Sequence, residues 1–205
     1  MLRIEKFNLN IKKELLLSID ELMLESGRKI NIIANNNNGK SIFLKTIHGD
    51  FKKYDGNISI TEKSPAIFKK RKKSILLETV PHLLPEETVW NNLILPFRNL
   101  TLRQKQKITD LCRTAELNEK IDHKVRYVSY SEQKFLELIR AVVQLPYLLL
   151  LDDFDIYFDR MNAQKAGIIC DYAVNNGTTI IAATKKKIDD FDLYYRIHLK
   201  KLLQV

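Results

Sequence analysis

The chain has 205 residues with 45% hydrophobic and 29% charged side chains, an ordinary balance for a soluble globular protein large enough to bury one sizeable core. No apolar run reaches the ~20 residues that a membrane-spanning helix needs, no secretory signal opens the sequence, and a cytoplasmic protein is expected. The net charge of +9, from 34 basic and 25 acidic residues, leaves an anionic membrane surface or nucleic acid open as partners, but no interleaved aromatic residues or nucleic-acid motif accompany it, so nucleic acid is not expected.

Cys112 and Cys170 stand alone, without CxxC spacing or a neighbouring His, and read as reduced thiols rather than metal ligands. Residues 1–10 alternate apolar and polar at Leu2, Ile4, Phe7 and Leu9, the pattern of a half-buried strand. Residues 14–24 hold a second β-type run, and Ser26-Gly27 turns the chain into a third, Ile30 to Ile33. That run enters Ala34-Asn35-Asn36-Asn37-Asn38-Gly39-Lys40-Ser41, and helical apolar spacing follows at Ile42, Phe43 and Ile47.

Strand, polar loop ending in Gly-Lys-Ser, then helix is the context of a phosphate-binding P-loop. N–H groups in the first turn of a helix lack intrahelical partners, and the helix dipole adds attraction for an anion. Lys40 would reach the β- and γ-phosphates of a nucleotide, and the Ser41 hydroxyl would ligate Mg²⁺. The P-loop pattern usually has Gly where Ala34 stands. The other reading is an Asn-rich surface loop that binds nothing.

Gly49 stops the helix, as Gly at a helix C-terminus does. Residues 54–57 predict a turn, and Ile58 and Ile60 begin another strand. The basic run Lys69-Lys70-Arg71-Lys72-Lys73 reads as a solvated helix or loop in preference to a phospholipid- or nucleotide-facing patch. Residues 74–79 form a short strand. Thr88 caps a helix over 89–95, a second amphipathic helix covers 101–115, and 118–121 a short third. Residues 131–144 read as a helix capped by Ser129 or Ser131, ended by Pro146.

Tyr147 to Leu151 is an unbroken apolar run ending in Asp152-Asp153, as in a strand buried on both faces. It has the form of a Walker B strand lying beside the P-loop strand, with Asp152 holding Mg²⁺ through water and Asp153 polarising an attacking water. The alternative is a charged strand end in a turn. A helix over 161–174, a buried strand over 178–183 and a terminal pair of short strands complete an α/β chain with a largely parallel core sheet.

This order of strand, P-loop, helical insert, signature-like helix and Walker B strand resembles the nucleotide-binding subunit of ABC transporters over nearly the whole chain. Leu83-Leu84-Pro85 with Thr88-Val89, Asn92-Leu93 and Leu95-Pro96, then Glu132-Gln133 and Arg140-Ala141-Val142-Val143, look like the group containing FtsE, LolD and MacB, with a lean to FtsE. The resemblance implies a P-loop NTPase of the ABC type: a parallel core sheet, an N-terminal antiparallel β part, and a helical subdomain at about 80–145 inserted in one nucleotide-binding domain over 1–205. It implies ATP and Mg²⁺ as cofactors, held by Asn36, Asn37, Asn38, Gly39, Lys40, Ser41 and Ile42 and by the signature residues Ser129, Ser131 and Glu132. Ser41, Asp152 and Thr79 would serve the metal, and Asp153 and Lys185 the chemistry. Partners would be an integral membrane permease-like (FtsX-like) protein at the inner face of the membrane and a second ATPase subunit, identical or intact.

Several positions depart from the family. The signature reads Val128-Ser129-Tyr130-Ser131-Glu132, where Tyr130, bulky at that place, and Ser131 replace its two glycines. Asn37 stands where the cassette loop has Gly, and Asn, which tolerates the left-handed region best among other residues, can still make the turn. Thr79, beside Glu78, stands at the Q-loop glutamine, Asp153 at the catalytic glutamate, one methylene (about 1.5 Å) shorter, and Lys185 at the switch histidine, a built-in cation for a bound phosphate or for a salt bridge to Asp153. Asp159 keeps the D-loop aspartate behind Ile156-Tyr157-Phe158. No aromatic lies between Phe7 and the P-loop to stack on adenine. These losses imply weak ATP binding with slow or absent hydrolysis, or a non-enzymatic adaptor.

Overall fold

The computed structural model describes residues 1–35, 38–156 and 158–205. The chain begins with strands β1 (Leu2–Ile11), β2 (Glu14–Leu24) and β3 (Lys29–Ile33), then helix α1 (Lys40–His48). Strand β4 (Asp55–Ile60), the short helix α2 (Pro65–Lys70) and strand β5 (Ser74–Leu77) follow. Next come α3 (Val89–Ile94), α4 (Leu102–Thr114), two 3₁₀ turns (Asn118–Lys120 and Val125–Tyr127) and α5 (Tyr130–Val142). The chain ends with β6 (Leu148–Asp152), α6 (Arg160–Asn175), β7 (Thr179–Thr184), β8 (Leu193–His198) and β9 (Lys201–Gln204).

Among the described residues the strands form one nine-stranded sheet in the order β4-β1-β2-β9-β8-β3-β7-β6-β5. From β8 to β5 every pairing is parallel, whereas β4, β1 and β2 pair antiparallel. The two parts join through the β8–β9 hairpin and a single parallel contact of Ser18 with Lys201. Two expectations change here. The Walker B strand β6 is not beside the P-loop strand, because β7 lies between them. Residues 55–57 belong to β4 rather than a turn: they pair with β1 across an irregularity between Glu5 and Asn8, where Gly56 (φ 93°) passes close to the Lys6 carbonyl.

Side-chain alternation splits the core across the two sheet faces. On β6, Leu149 and Leu151 join the cluster packed under α3–α6, while Leu148 and Leu150 join the cluster with α1, β1 and β2. Ile180 and Ala182 of β7 divide from Ile181 and Ala183 in the same way. A strand covered on both faces has no polar side, which is why these segments read as continuous apolar runs. Local capping sets the helices. Thr101 and Gln104 form a capping box on α4 and Ser129 and Glu132 one on α5, while Thr88 and Asp159 cap α3 and α6. Each cap satisfies first-turn N–H groups that a helix otherwise leaves open.

Candidate functional site

The C-terminal ends of β3, β6 and β7 meet the N-terminus of α1. Chain reversal into α1 depends on Gly39, whose backbone is left-handed (φ 79°) and whose position for a Cβ lies 3.4 Å from the Leu16 side chain. Glycine takes that conformation without the strain other residues meet. Among the described residues α1 has neither a side-chain cap nor an acidic residue in its first turn. No acid of its own first turn therefore occupies that positive end, and its N–H groups can receive an anion.

Lys40 is 6% exposed, and its Nζ lies 2.7 Å from Asp153 Oδ1. The contact is not aligned as a hydrogen bond, and neither atom makes one among the described residues. Asp153 itself sits at φ 49°, in the left-handed region that Asp tolerates better than most residues. Its other oxygen accepts a 3.3 Å bond from the Thr79 hydroxyl. Asp152 ends β6, buried, with the Ser41 side chain near its carboxylate. Burial pushes the Asp152 carboxyl up, and the neighbouring Asp153 charge adds to this. The nearby Ser41 hydroxyl and the Lys40 charge offset the rise only in part.

Four buried polar atoms lack hydrogen bonds among the described residues: Lys40 Nζ, Asp152 Oδ1, Asp153 Oδ1 and Asp155 Oδ1. Lys40 Nζ and Asp153 Oδ1 face each other as an ion pair; buried polar groups are nearly always hydrogen-bonded, so a concentration of four that are not fits a ligand-binding site. One cationic amine, adjacent carboxylates and a hydroxyl beside a helix N-terminus fit a phosphate group with a divalent cation. Gly39, Lys40, Ser41 and Ile42 would hold the phosphates, and Ser41 and Asp152 the metal. No cluster of three or more His, Cys, Asp or Glu suited to a metal occurs among the described residues, so the metal's remaining ligands would come from phosphate and water.

Asn36 and Asn37 lie outside the described residues. Ser129 and Glu132 bind each other: the Ser129 N–H and hydroxyl donate to Glu132 Oε2 at 2.8 and 2.9 Å. Lys120 holds Oε1 at 2.6 Å. Burial pushes Glu132 up, but these hydrogen bonds prevail and hold its carboxyl below the usual range. Ser131 contacts the Ser129 hydroxyl at 3.2 Å. Lys185 is exposed and its N–H donates to Asp155 Oδ2 at 2.9 Å. An ion pair of Asp153 with Lys185, one possibility in the sequence, is replaced by the Lys40–Asp153 pair. Phe7 is fully buried against Phe43 and Tyr54, a core ring and not an adenine platform.

Two structuring residues escaped the sequence reading. Asp155 draws the backbone N–H groups of both Lys185 and Lys186 to one oxygen, at 2.9 and 3.2 Å. Asn31, fully buried in β3, donates to Thr184 Oγ1 at 2.7 Å and accepts from Ile188 N–H at 3.1 Å. Together they set the turn after β7 against the P-loop strand. Asn31 did carry a signal, as the one polar residue inside an apolar strand run.

The comparisons with known proteins agree with this geometry. The model of the ABC transporter family matches residues 17–154. The lipoprotein-releasing system ATP-binding protein LolD of Saccharophagus degradans is 28% identical, over 70% of this chain and 68% of that protein. A putative ABC transporter ATP-binding protein of Nostoc sp. is 26% identical, over 85% and 65%. The glucose import ATP-binding protein GlcV of Saccharolobus solfataricus is 24% identical, over 95% and 59%. The matched regions thus span 59% to 68% of these relatives' lengths. In fold, the chain superposes on an ATP-binding subunit of an ABC transporter with a TM-score of 0.83 at 18% identity, covering 98% of this chain and 87% of the other. The cbiO1 component of the Clostridium perfringens cbiONQ transporter complex gives 0.82 at 20%, covering 99% and 87%. With the family match covering more than half of its length, the chain belongs to the ABC transporter family and has the fold of that family's ATP-binding subunits.

Proposed function

We propose that the chain is a degenerate, FtsE-like ATP-binding subunit, a single nucleotide-binding domain over 1–205 with its helical insert at about 80–145. It binds Mg-ATP weakly or hydrolyses it slowly. It acts with an integral membrane, FtsX-like partner at the inner face of the cell membrane, pairing with a second ATPase subunit. The observation that carries the reading is the use of Asp153. The acid at the catalytic position is held by the P-loop lysine, 2.7 Å away. Phosphoryl transfer depends on positioning and charge, so a base drawn onto Lys40 polarises an attacking water poorly.

When bound, Mg-ATP supplies the transferable phosphoryl group and its neutralising charge. The chain's residues then have separable tasks: the α1 N–H groups and Lys40 bind anionic oxygens, and Ser41 and Asp152 hold the cation. Asp153, once released from Lys40, accepts a hydrogen bond from water. Lys185 would place a fixed cation at the edge of the cleft. Titration of the purified protein with a fluorescent ATP analogue and Mg²⁺ tests the reading. Binding that Lys40→Ala abolishes is expected, with phosphate release far below that of an intact ABC ATPase. No binding at millimolar nucleotide would remove it.

A second reading is a non-enzymatic adaptor of a membrane complex for cell division or export. It is favoured by the signature residues Ser129 and Glu132 being committed to the α5 cap and Lys120. It expects a partner complex that survives Lys40→Ala. Loss of assembly in that variant counts against it.

A further inference from the structure

One face of α5 grips the backbone of the segment between β5 and α3. The Tyr130 hydroxyl donates to the Thr79 carbonyl at 2.9 Å, and Lys134 Nζ to the Glu78 carbonyl at 2.6 Å. Glu137 accepts from the His82 N–H at 2.8 Å, and Arg140 donates to the His82 carbonyl. Residues 130, 134 and 137 follow the spacing of a single helix face. Lys134 and Glu137 are only 6% and 2% exposed and pair with each other at 2.9 Å. A buried ion pair is tolerated when further hydrogen bonds satisfy it, and here the backbone of 78–82 supplies them. The segment is a strap fastened to α5.

From the strap, side chains reach the P-loop. Glu78 pairs with Lys45 on α1 at 2.6 Å. The Thr79 hydroxyl donates to Asp153 Oδ2, and Asp153 Oδ1 meets Lys40. A continuous line of contacts therefore runs Tyr130, Thr79, Asp153, Lys40 within one chain. It begins at the residue that replaces a signature glycine and ends at the amine expected to bind phosphate.

We propose that Tyr130 and Thr79 are positioning residues of an internal latch that keeps Lys40 on Asp153 until a phosphate group takes it. The latch regulates the site and rests on the nucleotide-binding reading above. Tyr130 fixes the Thr79 backbone, Thr79 orients the Asp153 carboxylate, and the carboxylate competes with phosphate for the amine. Loosening either residue lowers the cost of moving Lys40 to the ligand.

Two readouts test it on the full chain: acetylation of Lys40 by acetic anhydride, mapped by peptide mass, and titration with the fluorescent ATP analogue and Mg²⁺. Tyr130→Phe and Thr79→Val each remove one hydrogen bond with little change of shape. Each is expected to speed Lys40 acetylation and to tighten analogue binding about fivefold, the equivalent of one hydrogen bond. In an Asp153→Ala background both effects should vanish, because the coupling runs through that carboxylate. A merely structural role for Tyr130 would weaken binding or leave it unchanged. Unchanged acetylation in both single variants overturns the latch. Faster acetylation with no analogue binding in any form leaves the latch standing and overturns the nucleotide reading.

Discussion

Neutralising Asp153 while keeping its shape is the most direct perturbation of the site. Asp153→Asn preserves the side-chain outline and suits the left-handed backbone at φ 49°. Two unit charges 2.7 Å apart interact by about 6 kcal/mol at an effective dielectric of about 20. Desolvation of an amine that is 6% exposed and a carboxylate that is 18% exposed removes most of that. A net ~1–2 kcal/mol remains. Because Lys40 must leave Asp153 to bind phosphate, that free energy opposes binding in the native chain. Asp153→Asn should lower the ligand-free stability by ~1–2 kcal/mol and tighten Mg-ATP binding by about 5- to 30-fold, at roughly 1.4 kcal/mol per tenfold. Urea denaturation and analogue titration on the same preparation measure both. Weaker binding in the variant, with stability unchanged, would refute the competition between carboxylate and phosphate.

Tyr130, committed to the Thr79 carbonyl, should keep the purified chain monomeric in Mg-ATP, since a close approach of the signature loop to another subunit's phosphates requires it to move; light scattering showing a nucleotide-dependent homodimer would contradict this. Gly56→Ala would place a Cβ 2.3 Å from the Lys6 carbonyl oxygen at a φ of 93°, so a loss of about 2–4 kcal/mol is expected in urea denaturation; a loss under ~1 kcal/mol would mean that β1 yields there. His48 is pushed down to about 4 by burial and then by the Lys69 charge, with Glu78 opposing. The native chain thus binds fewer protons than the unfolded one between about 4 and 6.5, and stability falls as pH drops through that window. A shift from 6.5 to about 4 limits the loss to roughly 3 kcal/mol, and His48→Gln should flatten that part of a pH–stability curve.

The amino-acid sequence by itself determined what is encoded within a few residues. Gly49 closing α1, Thr88 and Thr101 capping α3 and α4, and the apolar runs of β6 and β7 were legible because capping and burial leave local patterns. The strand–loop–Gly-Lys-Ser–helix order also placed Lys40 and Ser41 at a helix N-terminus, and an Asp pair at the end of a buried strand. Tertiary structure decided what depends on segments 50 to 150 residues apart meeting. Strand order is one such outcome: β6 and β7 are both buried throughout, so nothing local says that β7 takes the place beside β3. Tyr130 looked like a bulky intrusion at a signature glycine, and only packing of α5 on the 78–82 strap gave its hydroxyl the Thr79 carbonyl. The partner of Asp153 was likewise open in the sequence, with Lys185 available on paper. Burial of Lys40 beside it resolved the choice, because an enclosed amine requires a counter-charge while an exposed lysine finds one in solvent.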